Sequence, residues 1–138
     1  MNQRGFATLE VILMVMVIGI LASIAVPRFN SVTTAANTAK VQADLSTIET
    51  AAAIYAMENG NSKEELSIKT DLEPYLQDVS NIKPPVGDVY INDGGSNSNG
   101  TLAITKTDNY QVKKQNGEYR AILKEKTAGS FKKKVASE

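Results

Sequence analysis

The chain has 138 residues with 15 basic and 15 acidic side chains, so it carries no net charge. That size allows one modest soluble domain, and the charge balance gives no case for a strongly nucleic-acid-binding protein. The sequence has neither cysteine nor histidine, which excludes disulfides, thiol catalysis, the commonest general base and the commonest zinc ligand. Composition therefore weighs against an enzyme, and no cofactor is expected.

The chain opens with a short basic stretch, Met1-Asn2-Gln3-Arg4-Gly5, and runs directly into an apolar segment. From Phe6 to Val26 there are 21 residues holding a single charge, Glu10. As a helix rising about 1.5 Å per residue they span roughly 30 Å, the thickness of a bilayer's hydrocarbon core. A carboxylate in that environment costs roughly 2.5–3.5 kcal/mol on insertion scales. It can snorkel, protonate or find a cation, and a cation becomes available if the chain is cut between Gly5 and Phe6, because Phe6 then carries a free α-ammonium one helical turn from Glu10. The pair can form within one chain or between neighbouring chains.

These residues carry a resemblance. A very short basic leader ending in Gly5, then Phe6, Glu10 and a long apolar helix with Gly19 and Pro27, resembles the class III signal of type IV pilins and type II secretion pseudopilins. The family usually reads Phe-Thr-Leu-Ile-Glu, and here the order is Phe6-Ala7-Thr8-Leu9-Glu10. The resemblance covers about the first sixty residues and implies several things. The leader, residues 1–5, is removed after Gly5 by a prepilin peptidase, and Phe6 is N-methylated by the same peptidase/methyltransferase. The precursor is a single-pass inner-membrane protein held in lipid with its N-terminus inside. An inner-membrane assembly platform then builds identical subunits into an extracellular pilus or a periplasm-spanning pseudopilus. The rival reading of the start is an ordinary secretory signal cut after Ala25, since Ser23-Ile24-Ala25 is a small-x-small pattern. Glu10 and the unbroken helical pattern argue against it.

Pro27 removes one backbone donor and crowds the carbonyl of Ser23, and Gly19 is a second weak point. Pro27 either ends the membrane helix or, as the resemblance implies, bounds a segment over residues 19–27 that unwinds in a filament. Residues 28–58 read as one further helix. Val41, Leu45, Ile48, Ala52 and Tyr55 fall at spacings of four and three and make one apolar stripe suited to packing on a sheet. The stretch 30–38 is small and polar and suits close packing between helices near a membrane surface. Asn59 and Gly60 form a helix stop.

Residues 59–138 read as a globular region. Short helical turns are expected at 63–66 and 71–76, with Pro74 tolerated near the start of the second, and Lys83-Pro84-Pro85 breaks regular structure. Strands are expected over 86–92, 101–107, 110–114 and 118–124, the last two joined by the turn Gln115-Asn116-Gly117. The resulting antiparallel sheet of three to four strands covers the helix stripe, giving an α+β, pilin-like fold. The polar stretch 93–100 reads as a hairpin loop, with Asp88 and Asp93 as weak calcium candidates. Lys124, Lys126, Lys132, Lys133 and Lys134 make a basic, solvated tail; Lys132, Lys133 and Lys134 are the candidate polyanion contact, a weak signal for nucleic acid with only Phe131 interleaved.

The function expected is a structural subunit of a type IV pilus serving adhesion, motility or DNA uptake. The competing readings are a type II secretion or competence pseudopilin and, in a different class, a secreted or anchored polyanion-binding module.

Overall fold

The computed structural model describes residues 3–92 and 100–133. One helix, α1, runs Gln3–Asn59, 57 residues. Five short strands follow: β1 (Glu65–Leu66), β2 (Gly87–Tyr90), β3 (Thr101–Ile104), β4 (Gln111–Gln115) and β5 (Glu118–Ile122). All pairings are antiparallel, in a three-stranded sheet of order β1-β4-β5 and a two-stranded sheet β2-β3. The α+β class and the small antiparallel sheet agree with the sequence reading. The chain divides into two compact units, one up to Thr33 and one from Thr34 on, each described by itself.

In the first unit the helix is solvent-exposed almost throughout. Its polar side chains fold back on the backbone. Thr8 Oγ1 donates to the Arg4 carbonyl at 2.9 Å, Ser23 Oγ to Ile20 at 2.7 Å, and Thr33 Oγ1 to Phe29 at 2.9 Å. Such hydroxyls keep a partner in an apolar medium, where water is not on offer. The helix does not stop at Pro27, which lies inside it; of the two readings of this proline, the one in which it ends the membrane helix does not hold. A missing N–H costs a helix one bond in the preceding turn, and a long helix can absorb it where both flanking turns are well formed.

In the second unit the stripe is the core. Val41, Leu45, Ile48 and Ala52 are wholly buried, Ala51 nearly so, and Tyr55 packs at the margin. Against them lie Val89 and Ile91 from β2 and its exit, Ile104 from β3, Val112 from β4, Tyr119 and Ala121 from β5, and Leu123. The strands alternate as one-sided strands must, with Val89, Ile104 and Val112 inward and Asp88, Ala103 and Gln111 outward. Gly60 closes the helix in the left-handed region at φ 78°, its N–H donating to the Ala56 carbonyl at 2.9 Å, a single-bond cap of the kind glycine favours.

The β4–β5 hairpin turns on Asn116 (φ 51°) and Gly117 (φ 85°). Positive φ at both central residues is the type I′ geometry that matches strand twist, and Asn-Gly is its preferred pair. Asn61 Nδ2 fixes the turn from outside by donating to the Gly117 carbonyl at 2.8 Å. A second two-residue turn, Lys124 (φ 49°) and Glu125 (φ 61°), is closed by reciprocal bonds between Leu123 and Lys126 at 2.9 and 3.0 Å. It carries no glycine, and Lys124 Nζ braces it by bonding the Ala103 carbonyl at 2.9 Å and Asp108 at 3.1 Å.

One local expectation fails. Residues 63–66 are not a helical turn; Glu65 and Leu66 pair with Lys113 and Val112 as an edge strand. Leu66 is buried and Glu65 exposed, an alternation of two that a four-residue window does not separate from a helical one. The turn expected at 71–76 is present as a single 3₁₀ turn, Glu73–Tyr75, with Pro74 in its first positions.

Tyr110 joins helix to sheet through a polar contact. Its hydroxyl donates to Asp44 Oδ2 at 2.8 Å, and Lys40 Nζ meets the same oxygen at 2.7 Å. Burial, and then the Asp44 carboxylate, push the Tyr110 phenol well above its usual range.

Two outcomes follow from this packing. Leu45→Ala removes a wholly buried side chain and should lower unfolding stability by about 2–5 kcal/mol in a denaturant titration. For Tyr110 the folded state holds the proton more tightly than the unfolded chain. Its contribution is therefore intact below about pH 10 and drains away as the pH rises beyond that. Thermal melts between pH 8 and 11 should show a steeper loss of stability in the native chain than in Tyr110→Phe.

Candidate assembly site on the apolar helix

The first unit presents an extensive exposed apolar surface. Phe6 is 74% exposed, and Leu9, Val11, Ile12, Leu13, Met14, Val15, Val17 and Ile18 are all more than half exposed. Burying such side chains is worth about 1.5–3 kcal/mol each, so a surface of this extent calls for lipid or other helices as its cover. The helix is long and apolar enough to cross a membrane.

Glu10 sits within that surface. A shallow groove is lined by Glu10, Leu13, Met14, Val17 and Ile18, which are residues one and two turns apart on one helix face. Among the described residues Glu10 has no hydrogen bond or ion pair. The hydroxyls of Thr8 and Ser23 are satisfied by the helix's own carbonyls; the carboxylate, an acceptor only, has no such recourse. Within the apolar segment 6–26 a carboxylate of this kind is complemented by a cation or a strong hydrogen-bond donor.

The structure places the other site residues as follows. Gly5 and Phe6 lie in the first two turns of α1, so Phe6 N is a peptide nitrogen here and the ammonium exists only after chain cleavage. Gly5, Phe6 and Glu10 thus share one helical stretch. Gly19 also lies in α1, and a Cβ built there would meet nothing within 4 Å; no contact among the described residues demands a glycine. Pro27 lies in the same helix.

Lys132 and Lys133 belong to the second unit. Up to Lys133 the basic segment is tied down. Phe131 is wholly buried, its carbonyl accepts from Gln42 Nε2, and the Ser130 carbonyl accepts from Asn92 N–H at 2.7 Å. Lys133 Nζ lies 5.8 Å from the centre of the Tyr90 ring, within cation–π reach. Lys132 and Lys133 are therefore presented from a fixed base, although Lys124 is engaged with Asp108. Lys134, Asp93 and residues 94–99 lie outside the described residues; Asp88 is exposed and its carbonyl accepts from Asn37 Nδ2 at 3.3 Å.

Sequence reasoning missed how the helix grips the sheet. Thr38, buried at 6% exposure, accepts the Tyr90 N–H at 2.8 Å and donates to the Thr34 carbonyl at 2.6 Å. Asn37, Thr38 and Gln42 thus bond β2 and the C-terminal segment in succession. The signal was available for Thr38, which continues the stripe of Val41, Leu45 and Ile48 by one step of three. Also missed was the ring cluster at the far end of the helix, where Tyr55 meets Tyr75 and Tyr119 edge-on at 6.2 and 6.3 Å.

Phe131→Ala should release the C-terminal segment and cost about 3–5 kcal/mol. Limited proteolysis followed by mass measurement should show new cleavage after the lysines near the C-terminus, absent from the native chain.

Comparison with known proteins returns one informative likeness. Over 54 residues the chain is 43% identical to PilA5, the major component of a type IV narrow pilus of Thermus thermophilus. The matched stretch is 39% of this chain and 47% of that pilin, so it spans about half of the relative's length. No family model and no solved structure matches the chain. Over the shared stretch, and in its long exposed apolar helix, the chain is similar to that type IV pilin.

Proposed function

We propose that the chain is a structural subunit of a type IV pilus filament, assembled through its N-terminal helix. The observation that carries this reading is the exposed apolar helix with a carboxylate, Glu10, on its surface that has no partner among the described residues. The likeness to a pilus major component supports the pilus over a secretion pseudopilus. The role is architectural, serving adhesion, motility or DNA uptake, and no catalytic step is assigned to the chain.

In this reading the helix holds the precursor in the inner membrane. A prepilin peptidase cuts between Gly5 and Phe6, removing residues 1–5, and Phe6 is N-methylated. The helix then leaves lipid for a bundle of identical helices. Lipid tails and packed apolar side chains are similar solvents, so the transfer is close to neutral and small terms decide it. The decisive term is the carboxylate. Glu10 meeting the Phe6 ammonium of a neighbouring subunit satisfies two charges that are each costly alone in a low-dielectric core. Only one vertical offset brings them together, so the pair sets register as well as affinity. Residues 19–27 are the segment expected to unwind in the filament, with Gly19 and Pro27 as its weak points. The lysines Lys132, Lys133 and Lys134 supply a candidate contact for polyanions, DNA included.

Glu10→Ala or Glu10→Val should leave leader removal intact and stop filament growth, seen as mature-length subunit in the membrane fraction without filaments by electron microscopy. Filaments at native yield from either variant would overturn the proposed pairing. Replacing Gly5 should block cleavage, and intact-mass measurement should then show the leader retained. N-terminal sequencing of the native subunit should start at Phe6. A start at Val26 would point instead to a secreted module.

A further inference from the structure

The second unit hides its large apolar side chains almost completely. Among its described residues the exceptions are Ile54, Met57 and Val86, with Met57 86% and Val86 57% exposed. They fall in two places. Ile54 and Met57 lie on the last turns of α1. Val86 follows Lys83-Pro84-Pro85 and comes just before β2.

Beside Met57 lies a groove of about 420 Å³. Ala53, Ala56, Met57 and Tyr119 give it an apolar lining, and its charged lining residues are both carboxylates, Glu49 and Glu118. Arg120 pairs with both, with Glu118 at 3.4 Å. One guanidinium against two carboxylates leaves the groove negative, and Glu118 is the freer of the two, its side chain 74% exposed. Lys114 bonds the carbonyl of Asn61, another lining residue, and is itself matched by Glu64 at 3.7 Å. A groove of this chemistry suits an apolar side chain with a cation close by.

Val86 has those surroundings. The two prolines before it fix the backbone. Pro84 is buried and Pro85 half-buried, so Val86 projects from a firm base. Lys83 is exposed and has no ion pair among the described residues. The next residue, Gly87, lies against Asn37, whose Nδ2 a Cβ there would meet at 3.1 Å. From Asn37 to Ala53 is sixteen residues, roughly 24 Å along the helix. No chain fills its own groove across that distance.

We propose that the groove beside Met57 receives Val86 of a second copy, with Lys83 of that copy set against Glu118. Apolar burial holds the contact, and the charge pair fixes its orientation. Two different surfaces meet, so the contact is heterologous and passes from copy to copy. The end of α1 supplies the receiving surface. The proposal rests on the filament reading above for its choice of a second copy as partner.

The test uses the full chain in dodecylmaltoside micelles; the sequence has no cysteine of its own. Met57→Cys and Val86→Cys replace exposed side chains and should leave thermal melts unchanged. Mixed and oxidised with copper phenanthroline, the two variants should give a disulfide-linked dimer of one of each, identified by mass. The bond requires the two Cβ atoms to come within about 4.5 Å. Neither variant oxidised alone should dimerise to the same extent. Lys83→Glu in the Val86→Cys chain should cut the mixed dimer about tenfold, because it sets like charges together. Glu118→Lys in the Met57→Cys chain should then restore it. A mixed dimer no more abundant than the dimers of each variant alone would overturn the proposal. So would a mixed dimer indifferent to both charge changes. Filament yield is a separate readout. Native filaments without the mixed disulfide would count against this contact alone, and the mixed disulfide without filaments against the filament reading alone.

Discussion

The apolar stripe on the second half of the helix is the surface on which the rest of the globular unit is built. Val41, Leu45, Ile48 and Ala52 are wholly buried, and both sheets contribute their inward residues to the same cluster. The strands are two to five residues long, and two- and three-stranded pieces of that size are not stable alone in water. They persist because the helix supplies a ready-made apolar face. The helix in turn gains the tertiary packing that propensity alone does not give it. Remove the stripe and neither partner holds its shape.

The same helix then solves a second problem with opposite chemistry. In its first half the exposed face is apolar, the hydroxyls are bonded inward, and one carboxylate is left over. In its second half one face is spent on the core and the polar contacts are long-range: Asp44 to Tyr110, Glu49 to Arg120, Gln42 to Phe131. The surface ion pairs, such as Lys40–Asp44 and Arg120–Glu49, are partly exposed and each adds little. Their value lies in orientation rather than strength.

Much of this was legible in the sequence, for identifiable reasons. The apolar run, the stripe at spacings of three and four, the Gly60 stop and the Asn116-Gly117 turn are local signals that the tertiary structure reinforces. What was not legible depends on partners distant in the chain. Glu65 and Leu66 become a strand because β4 is there to pair with. The two sheets are separate because β2 and β3 pair with each other alone, which strand-by-strand reading does not reveal. The anchoring of Phe131 under Gln42 joins residues far apart in sequence, so an isolated aromatic in a lysine-rich segment passes for a surface residue. For the candidate assembly site, the spacing of Gly5, Phe6 and Glu10 came from sequence; the structure adds that Glu10 has no partner among the described residues.

The bonds from Asn37 and Thr38 to β2 have one more consequence. The Asp88 carbonyl and the Tyr90 N–H belong to an outer edge of the two-stranded sheet, and both are occupied by helix side chains. On the opposite edge the Ala103 carbonyl is taken by Lys124, and the three-stranded sheet begins with a strand of only two residues. Open strand edges are templates for aggregation. Were copies packed side by side, as proposed above, that hazard would be acute, and here both edges of the two-stranded sheet carry side-chain bonds and the β1 edge of the other sheet is cut short. Strand addition at those edges is thereby disfavoured, which in the proposed filament leaves association to the helix.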